Sequence, residues 1–382
     1  MTPGLRQGGA ERQLLELIRR LPDRFEPVLC LYEAEGVHYR EYLAPGEPRH
    51  VVGKHWMSPR GLARLARIIA EERPAILHSY RDRSNFWTRL AMQVHGVSVP
   101  IVITSVRNRG IAPLNLLTES IFADFTDRVL SNSVGVRHEL RSWARVPEAK
   151  LAVIHNFANL DQFRPPAAGE RESARSRFGL AATDQAWVLP GRISFQKHQL
   201  GLLAALRSLR RAGRLPAGVR FLLAGRERDR TYSRVVRALV ERWDLAAHVR
   251  LLGSVTDVLA LYHAADLVVL PSLYEGMPNA VIEAQACGLP VLVSRAANAD
   301  RLVAPGATGF EVPTADRHAL AVELEKAFAC SPEELRVLGE RGRARVARML
   351  DNESLLGMFT SLYDRLLAIK GLTGPGGGHA TG

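Results

Sequence analysis

Short apolar runs alternate with longer amphipathic stretches along almost the whole chain. That alternation limits the possible folds more than any other feature. The runs are 27–32, 75–78, 101–105, 128–131 and 151–154, then 187–190, 220–224, 249–252, 267–270 and 290–294. Between them lie segments of helical period, among them 10–20, 59–72, 85–95, 134–144, 200–212 and 232–243. Strands regularly separated by helices imply parallel sheets with helices on both faces. The pattern runs twice. Residues 161–182, with Pro165-Pro166 and many charges, read as the linker between the two runs. The expectation is an α/β chain of two doubly wound domains.

Length agrees, since 382 residues suit two α/β domains of ordinary size. The net charge is +12, and the excess is almost all arginine, shared between the two halves. Such charge fits nucleic acid, an anionic membrane or acidic ligands. No dense Lys/Arg run with interleaved aromatics is present, which argues against a nucleic-acid reader. The three cysteines are far apart and suggest neither a disulfide framework nor a zinc site. No segment offers about 18 uninterrupted apolar residues. The chain begins without a signal-peptide apolar region. The expected location is the cytoplasm, with contact at the inner face of an anionic membrane as the peripheral option.

The stretch from Val268 to Ala284 carries the most chemistry. The apolar run to Leu270 reads as a buried parallel strand and ends in Pro271-Ser272. Glu275-Gly276-Met277-Pro278 form a short loop, and Asn279 reads as the N-cap of a helix that carries Glu283. Glu275 then stands at the carboxyl end of a strand, where open α/β sheets bind ligands. The helix start adds unpaired N–H groups and a positive dipole end that suit a phosphate. A surface loop with a dipole-favoured glutamate would explain Glu283 alone, not the whole constellation.

This segment resembles the E-x7-E signature of retaining glycosyltransferases of family 4. The resemblance implies the GT-B architecture, two facing Rossmann-like domains with a cleft between them. It divides the chain into an acceptor-binding domain over 1–165 and a nucleotide-sugar-binding domain over 183–351. A helix over 352–370 would cross back to the first domain, ahead of a Gly-rich, disordered tail over 371–382. By resemblance, Glu275 holds donor-sugar hydroxyls and Glu283 the ribose hydroxyls. Gly276, Met277, Pro278, Asn279, Ala280 and Val281 line the diphosphate end, the last two through backbone N–H groups.

Gly191-Arg192-Ile193-Ser194-Phe195-Gln196-Lys197 resembles the family's diphosphate-gripping element. Charge grows on the β-phosphate oxygen as the glycosidic bond breaks, so preformed cations at Arg192 and Lys197 lower the barrier. His198 stands where the family commonly has glycine. Cations in this role remove the need for a metal, and the chain has no convincing Asp-x-Asp motif and no His-rich metal spacing. No cofactor is expected, the nucleotide-sugar being a co-substrate. Arg226, after the 220–224 run, and Val255, in the loop that resembles the base-receiving one, complete the donor set.

On the acceptor side, Arg107 stands where many members have a histidine that contacts the donor sugar. Arginine cannot act as a base near neutral pH. A same-face internal return needs no side-chain base, and Arg107 would then bind sugar hydroxyls or phosphate. His78 is the other candidate, and a strand-end histidine is more often structural. Residues 154–157, Ile-His-Asn-Phe, resemble the family's hinge phrase, with His155 and Phe157 in place of proline and glycine; Asn156 should shape the turn. Gly8 and Gly9 match the family's glycine loop, whose backbone approaches the reacting centre. The hydrophobic strand that opens the family is absent before them. That absence predicts unpaired neighbouring strands and an apolar strand encoded upstream.

These residues point to a retaining, metal-independent hexosyltransferase that takes its sugar from a nucleotide, UDP-linked rather than GDP-linked. Its acceptor is a glycan, a lipid-linked molecule or a small molecule, as in polysaccharide biosynthesis. A second reading is a non-catalytic sugar-nucleotide-binding subunit, supported by the missing strand and by Arg107. A sugar-nucleotide epimerase shares the architecture but lacks the Glu-Gly-Met-Pro-Asn phrase.

Overall fold

The computed structural model describes residues 1–5, 9–33, 49–53, 55–110, 113–227 and 229–372. The chain forms two compact units, Met1–Phe157 with Asn352–Gly382, and Ala158–Asp351.

The first unit holds strands β1 (Leu29–Leu31), β2 (Arg49–Val51), β3 (Ile76–Tyr80), β4 (Ile101–Val106), β5 (Arg128–Ser131) and β6 (Leu151–Val153). β3 to β6 form a parallel sheet in chain order, and β1 pairs in parallel with β2. The place between β1 and β3 is where the sequence predicts a missing strand. Met1–Pro3 occupies it. Thr2 N–H donates to Cys30 O at 3.2 Å, and Tyr32 N–H returns to Thr2 O at 3.2 Å. On the other side Tyr80 N–H donates to Met1 O at 2.8 Å, and the Met1 amine donates to His78 O at 2.6 Å. The expected gap is therefore closed beside Cys30–Tyr32 and His78–Tyr80.

Helices α1 (Gly9–Arg20), α2 (Pro59–Glu72), α3 (Asp82–His95), α4 (Pro113–Ile121) and α5 (Val134–Ser142) cover this sheet. Ser58 caps α2, with proline at its first position, and Ser133 caps α5. The unit is completed by the last helix of the chain, Asn352–Ile369. Its Tyr363 hydroxyl meets His78 Nδ1 at 2.8 Å, and its Phe359 stacks on Phe157 at 5.9 Å. The predicted disordered tail lies outside the described residues from 373 onward.

The second unit opens with α6 (Glu170–Arg177), inside the stretch expected to be a linker. α6 has no apolar stripe, and polar contacts hold it. Arg164 forks onto Glu170 at 2.7 Å through both nitrogens, and Arg171 reaches Asp266 at 2.6 Å. The change of unit falls at Phe157–Ala158, ahead of the Pro165-Pro166 pair. Strands β7 (Gln185–Pro190), β8 (Val219–Ala224), β9 (Val249–Gly253), β10 (Leu267–Leu270), β11 (Val291–Ser294) and β12 (Gly309–Val312) alternate with α7 (Gln199–Arg211), α8 (Arg230–Arg242), α9 (Val258–Ala264) and α10 (Asn279–Ala286). Helices α11 (Arg317–Phe328) and α12 (Pro332–Met349) close the unit, and the last helix, already described, is α13.

All six strands are parallel, in the order β12-β11-β10-β7-β8-β9. Chain order reverses between β7 and β10, so this is the topological switch point of a doubly wound sheet. The core runs through Trp187, which is fully buried against Phe221 and Phe328, with ring centroids 5.5 and 4.6 Å away.

Candidate functional site

The loops that follow β7 and β10 flank the switch point, and both carry predicted residues. The first loop turns at Gly191, whose φ of +137° suits only glycine; a Cβ there would stand 2.7 Å from Lys197 Cε. The loop then makes one tight turn over Phe195–Lys197. His198 follows with φ +56°, a left-handed conformation that explains the family's glycine at this position. Gly225, at the end of β8, lets the two backbones touch; a Cβ would stand 2.1 Å from Gly191 O.

The second loop runs from Pro271 to Pro278. Its strand and its helix are both buried, which holds the loop at each end. The structure corrects one expectation here. The N-cap of α10 is Pro278, with φ −76° and ψ 108°, and Asn279 is the first residue of the helix. Pro278 has no side-chain acceptor to offer as a cap, and Val281 N–H, expected to meet the diphosphate, donates to Pro278 O at 3.0 Å.

The two loops meet in a cluster of charges. Lys197 Nζ donates to Glu275 Oε1 at 2.7 Å, with only 12% and 9% of the two side chains exposed. Gln196 joins the cluster from both ends of its amide. Its Oε1 accepts from Arg192 Nη2 at 3.2 Å. Its Nε2 donates to Tyr274 O at 3.0 Å and to Glu275 Oε2 at 3.4 Å. Leu273 N–H donates to Gln196 O at 2.8 Å, and Ile193 N–H to Arg226 O at 3.1 Å. The structure thus brings Arg192, Lys197, Glu275 and the Arg226 backbone together, with Gln196 as an added member. The Arg226 side chain is exposed.

Glu283 lies one turn into α10 and is 6% exposed. Its Oε2 accepts from the buried Tyr262 hydroxyl of α9 at 2.9 Å. Sequence reasoning missed Tyr262. The only signal for it is its place on α9, the helix that leads into β10. Gly276, Met277, Pro278 and Val281 are buried, while Ala280 is half-buried at the helix start. Val255 is half-buried between β9 and α9. Asp257 after it caps α9 by accepting from Ala260 N–H at 3.0 Å.

The remaining predicted residues belong to the first unit. Gly9 opens α1, and Gly8 lies outside the described residues. Arg107 follows β4, sits over the Tyr80 ring at 5.6 Å and donates to Asn156 Oδ1. Asn132 Nδ2 meets the same oxygen at 3.2 Å. Burial lowers the pKa of the Arg107 guanidinium. Asn156 is therefore tied to Arg107 and Asn132. Phe157, next to it, exchanges two hydrogen bonds with the Gln13 side chain, at 2.6 and 3.0 Å. His78 Nε2 pairs with Ser105 Oγ at 2.8 Å, its other nitrogen being on Tyr363. Burial holds its pKa well below the ordinary histidine value. Both ring nitrogens are engaged within the unit.

Two comparisons of sequence agree with this geometry. Residues 7–162 match the family described as Glycosyltransferase Family 4, and residues 185–329 that described as Glycosyl transferases group 1. The chain belongs to the family 4 glycosyltransferases, with both domains of a GT-B protein. It is 32% identical over 229 residues to D-inositol 3-phosphate glycosyltransferase of Mycobacterium tuberculosis, and to the protein of the same name in Mycobacterium bovis. That match covers 56% of this chain and 45% of each relative, so the chain matches about half the length of those curated relatives. Among solved structures, Anabaena HepE in complex with UDP and glucose superposes with a TM-score of 0.81 at 19% identity, over 94% of this chain and 96% of that one. A glycosyltransferase from Rickettsia africae gives 0.79 at 19% identity, over 96% and 97%. At such identities the likeness is one of fold.

Proposed function

We propose that this chain transfers a sugar from a nucleotide-sugar, UDP-linked, to a glycan, lipid-linked or small-molecule acceptor, with retention and without a metal. The observation that carries this reading is the Arg192–Gln196–Glu275–Lys197 cluster at the switch point, in the loops that precede α7 and α10. Two cations beside the start of α10 suit a diphosphate. A buried carboxylate next to them suits sugar hydroxyls, and a second one on α10 suits a ribose diol. The solved relative holding UDP and glucose supports the choice of UDP.

In the proposed reaction the acceptor oxygen bonds to the anomeric carbon as the bond from that carbon to the β-phosphate oxygen breaks. Both events take place on one face of the sugar. The departing phosphate oxygen takes the acceptor proton, so no side-chain base is required. Arg192 and Lys197 hold the charge that grows on the leaving diphosphate. Arg107 offers hydrogen bonds to sugar or phosphate oxygens.

Among the described residues no group of His, Cys, Asp and Glu is placed to hold a metal ion, and no helix is long and apolar enough to cross a membrane. The Arg-rich surface leaves peripheral contact with anionic lipid within the proposal.

The test is a thermal-shift panel of UDP, GDP and their sugars, run with and without EDTA. A nucleotide at 100 times its Kd adds about 2.7 kcal/mol of stability. Stabilisation by UDP that EDTA leaves unchanged supports the reading. A panel without any shift refutes the donor site, and turnover abolished by EDTA and restored by a divalent ion refutes metal independence.

A further inference from the structure

We propose that Gln196 is a positioning residue for Glu275: its side-chain N–H holds the carboxylate in place when the donor diphosphate draws Lys197 away. This rests on the donor-site reading above.

The unliganded cluster poses a problem for that reading. Lys197 has one of its three N–H donors on Glu275 Oε1 at 2.7 Å. A diphosphate beside it competes for the ammonium, and in this proposal it lengthens the Lys197–Glu275 contact. The carboxylate is then released towards the sugar hydroxyls, which need it as an acceptor. A released glutamate on a loop would also be free to change rotamer unless its other oxygen has a holder. That holder is Gln196 Nε2, 3.4 Å from Oε2.

The chemistry of the amide explains why glutamine fits. A primary amide has two N–H donors and an acceptor oxygen on one rigid plane. Here all three are used. One N–H is on Tyr274 O at 3.0 Å, the other on Glu275, and the oxygen is on Arg192 at 3.2 Å. Glutamate at 196 would keep Arg192 but repel Glu275. Lysine would hold Glu275 but repel Arg192. Asparagine is one carbon too short for the same span. Gln196 is also fixed by its backbone, since its carbonyl accepts from Leu273 N–H at 2.8 Å. One residue thereby joins the two loops that make the site.

The test compares affinities for UDP and for the nucleotide-sugar that the wild-type protein binds most tightly, by isothermal titration. Gln196→Met removes the amide at similar volume, and Gln196→Ala is the second variant in case the first fails to fold. The Arg192 contact enters both constants, so it cancels in their ratio, Kd(UDP)/Kd(UDP-sugar). Loss of the hydrogen bond to the carboxylate should lower that ratio about fivefold. In a Glu275→Gln background the same change should move the ratio less than about twofold, since the carboxylate it positions is gone. A purely structural Gln196 would weaken both ligands alike. An unchanged ratio in Gln196→Met and Gln196→Ala overturns this proposal while leaving the donor site intact. Failure of the wild type to bind any nucleotide overturns the donor-site reading, and this proposal with it.

Discussion

Lys197→Ala leaves Glu275 buried without its cation, and the structure sets the size of the effect. At 2.7 Å the gross attraction is about 6 kcal/mol at an effective dielectric near 20. Desolvation of the two ions offsets much of it, so the pair contributes little net stability. Breaking it from one side is different, because a carboxylate only 9% exposed keeps its desolvation cost. Removing one partner of a buried pair costs about 3–5 kcal/mol. Gln196 Nε2 still faces the other oxygen, which puts Lys197→Ala near the lower end, about 3 kcal/mol.

Glu275→Gln should cost less, about 1 kcal/mol, because the amide oxygen still accepts and the lysine stem can carry its charge to water. The double variant Lys197→Ala/Glu275→Gln contains no orphan charge. It should therefore be more stable than Lys197→Ala alone, by about 1–2 kcal/mol. For a unit of this size each kcal/mol moves the transition by roughly 2–4 °C. The assay is differential scanning calorimetry of the three variants and the wild type without ligand. A double variant that melts below Lys197→Ala refutes the reasoning, because the carboxylate would then not be the source of the loss.

Three further outcomes follow from other parts of the molecule. Gly225→Ala places a Cβ 2.1 Å from Gly191 O, so backbone must shift; it should cost about 1–3 kcal/mol and weaken UDP binding, and native UDP affinity would contradict the close approach. In titrations with UDP alone, Glu283→Gln should weaken binding more than Glu275→Gln, since Glu283 is assigned the ribose and Glu275 the sugar; equal losses would undo that division. Burial keeps His78 neutral in the folded unit, with its pKa below the ordinary 6.5. The unfolded chain takes up that proton first, so this contribution is present above pH 6.5 and is lost as pH falls through 6.5 towards the lower folded value. His78→Gln should flatten the fall in urea midpoint between about pH 6.5 and 5, and an unchanged slope would show that another group controls it.

The candidate site of the second unit was legible because its parts are contiguous. Each consists of a buried strand, a short loop and a helix start, as in Leu267–Asn279 and Gln185–Lys197. Lys197 and Glu275 are 78 residues apart, yet a doubly wound sheet sets the strands before them side by side. Elements without an apolar period were not legible. α6 is polar on every face and held by arginine contacts, so a hydrophobic template read it as linker. β2 and β12 carry Arg49, His50 and Glu311 within three and four residues, so neither makes an apolar run, whereas β1 and β6, equally short, do. Met1–Pro3 was read as loop because Thr2 and Pro3 make no apolar run.

Tyr262 was beyond sequence reasoning because its hydroxyl meets Glu283 from another helix. The misplaced cap has a different cause. Local propensity ranks Asn279 as N-cap over Pro278, since its side chain could satisfy an early helix N–H. A side chain doing so would occupy the positive end of α10. The structure instead starts the helix at Pro278 without any side-chain cap. His198 departs in the same way, a non-glycine residue at φ +56° directly after the loop that carries Lys197. Both departures fall beside the same cluster of charges, although Asp244, Arg301 and Ala315 of the same unit also take a left-handed φ, so backbone strain alone does not mark the site. The helix start and the tight turn lie at the two loops that join Lys197 to Glu275. The starts of α6 and α7 also lack a side-chain cap, so it is the pair of cations Arg192 and Lys197 in the adjoining loop, and not the uncapped terminus alone, that makes this helix start the place to test for a diphosphate.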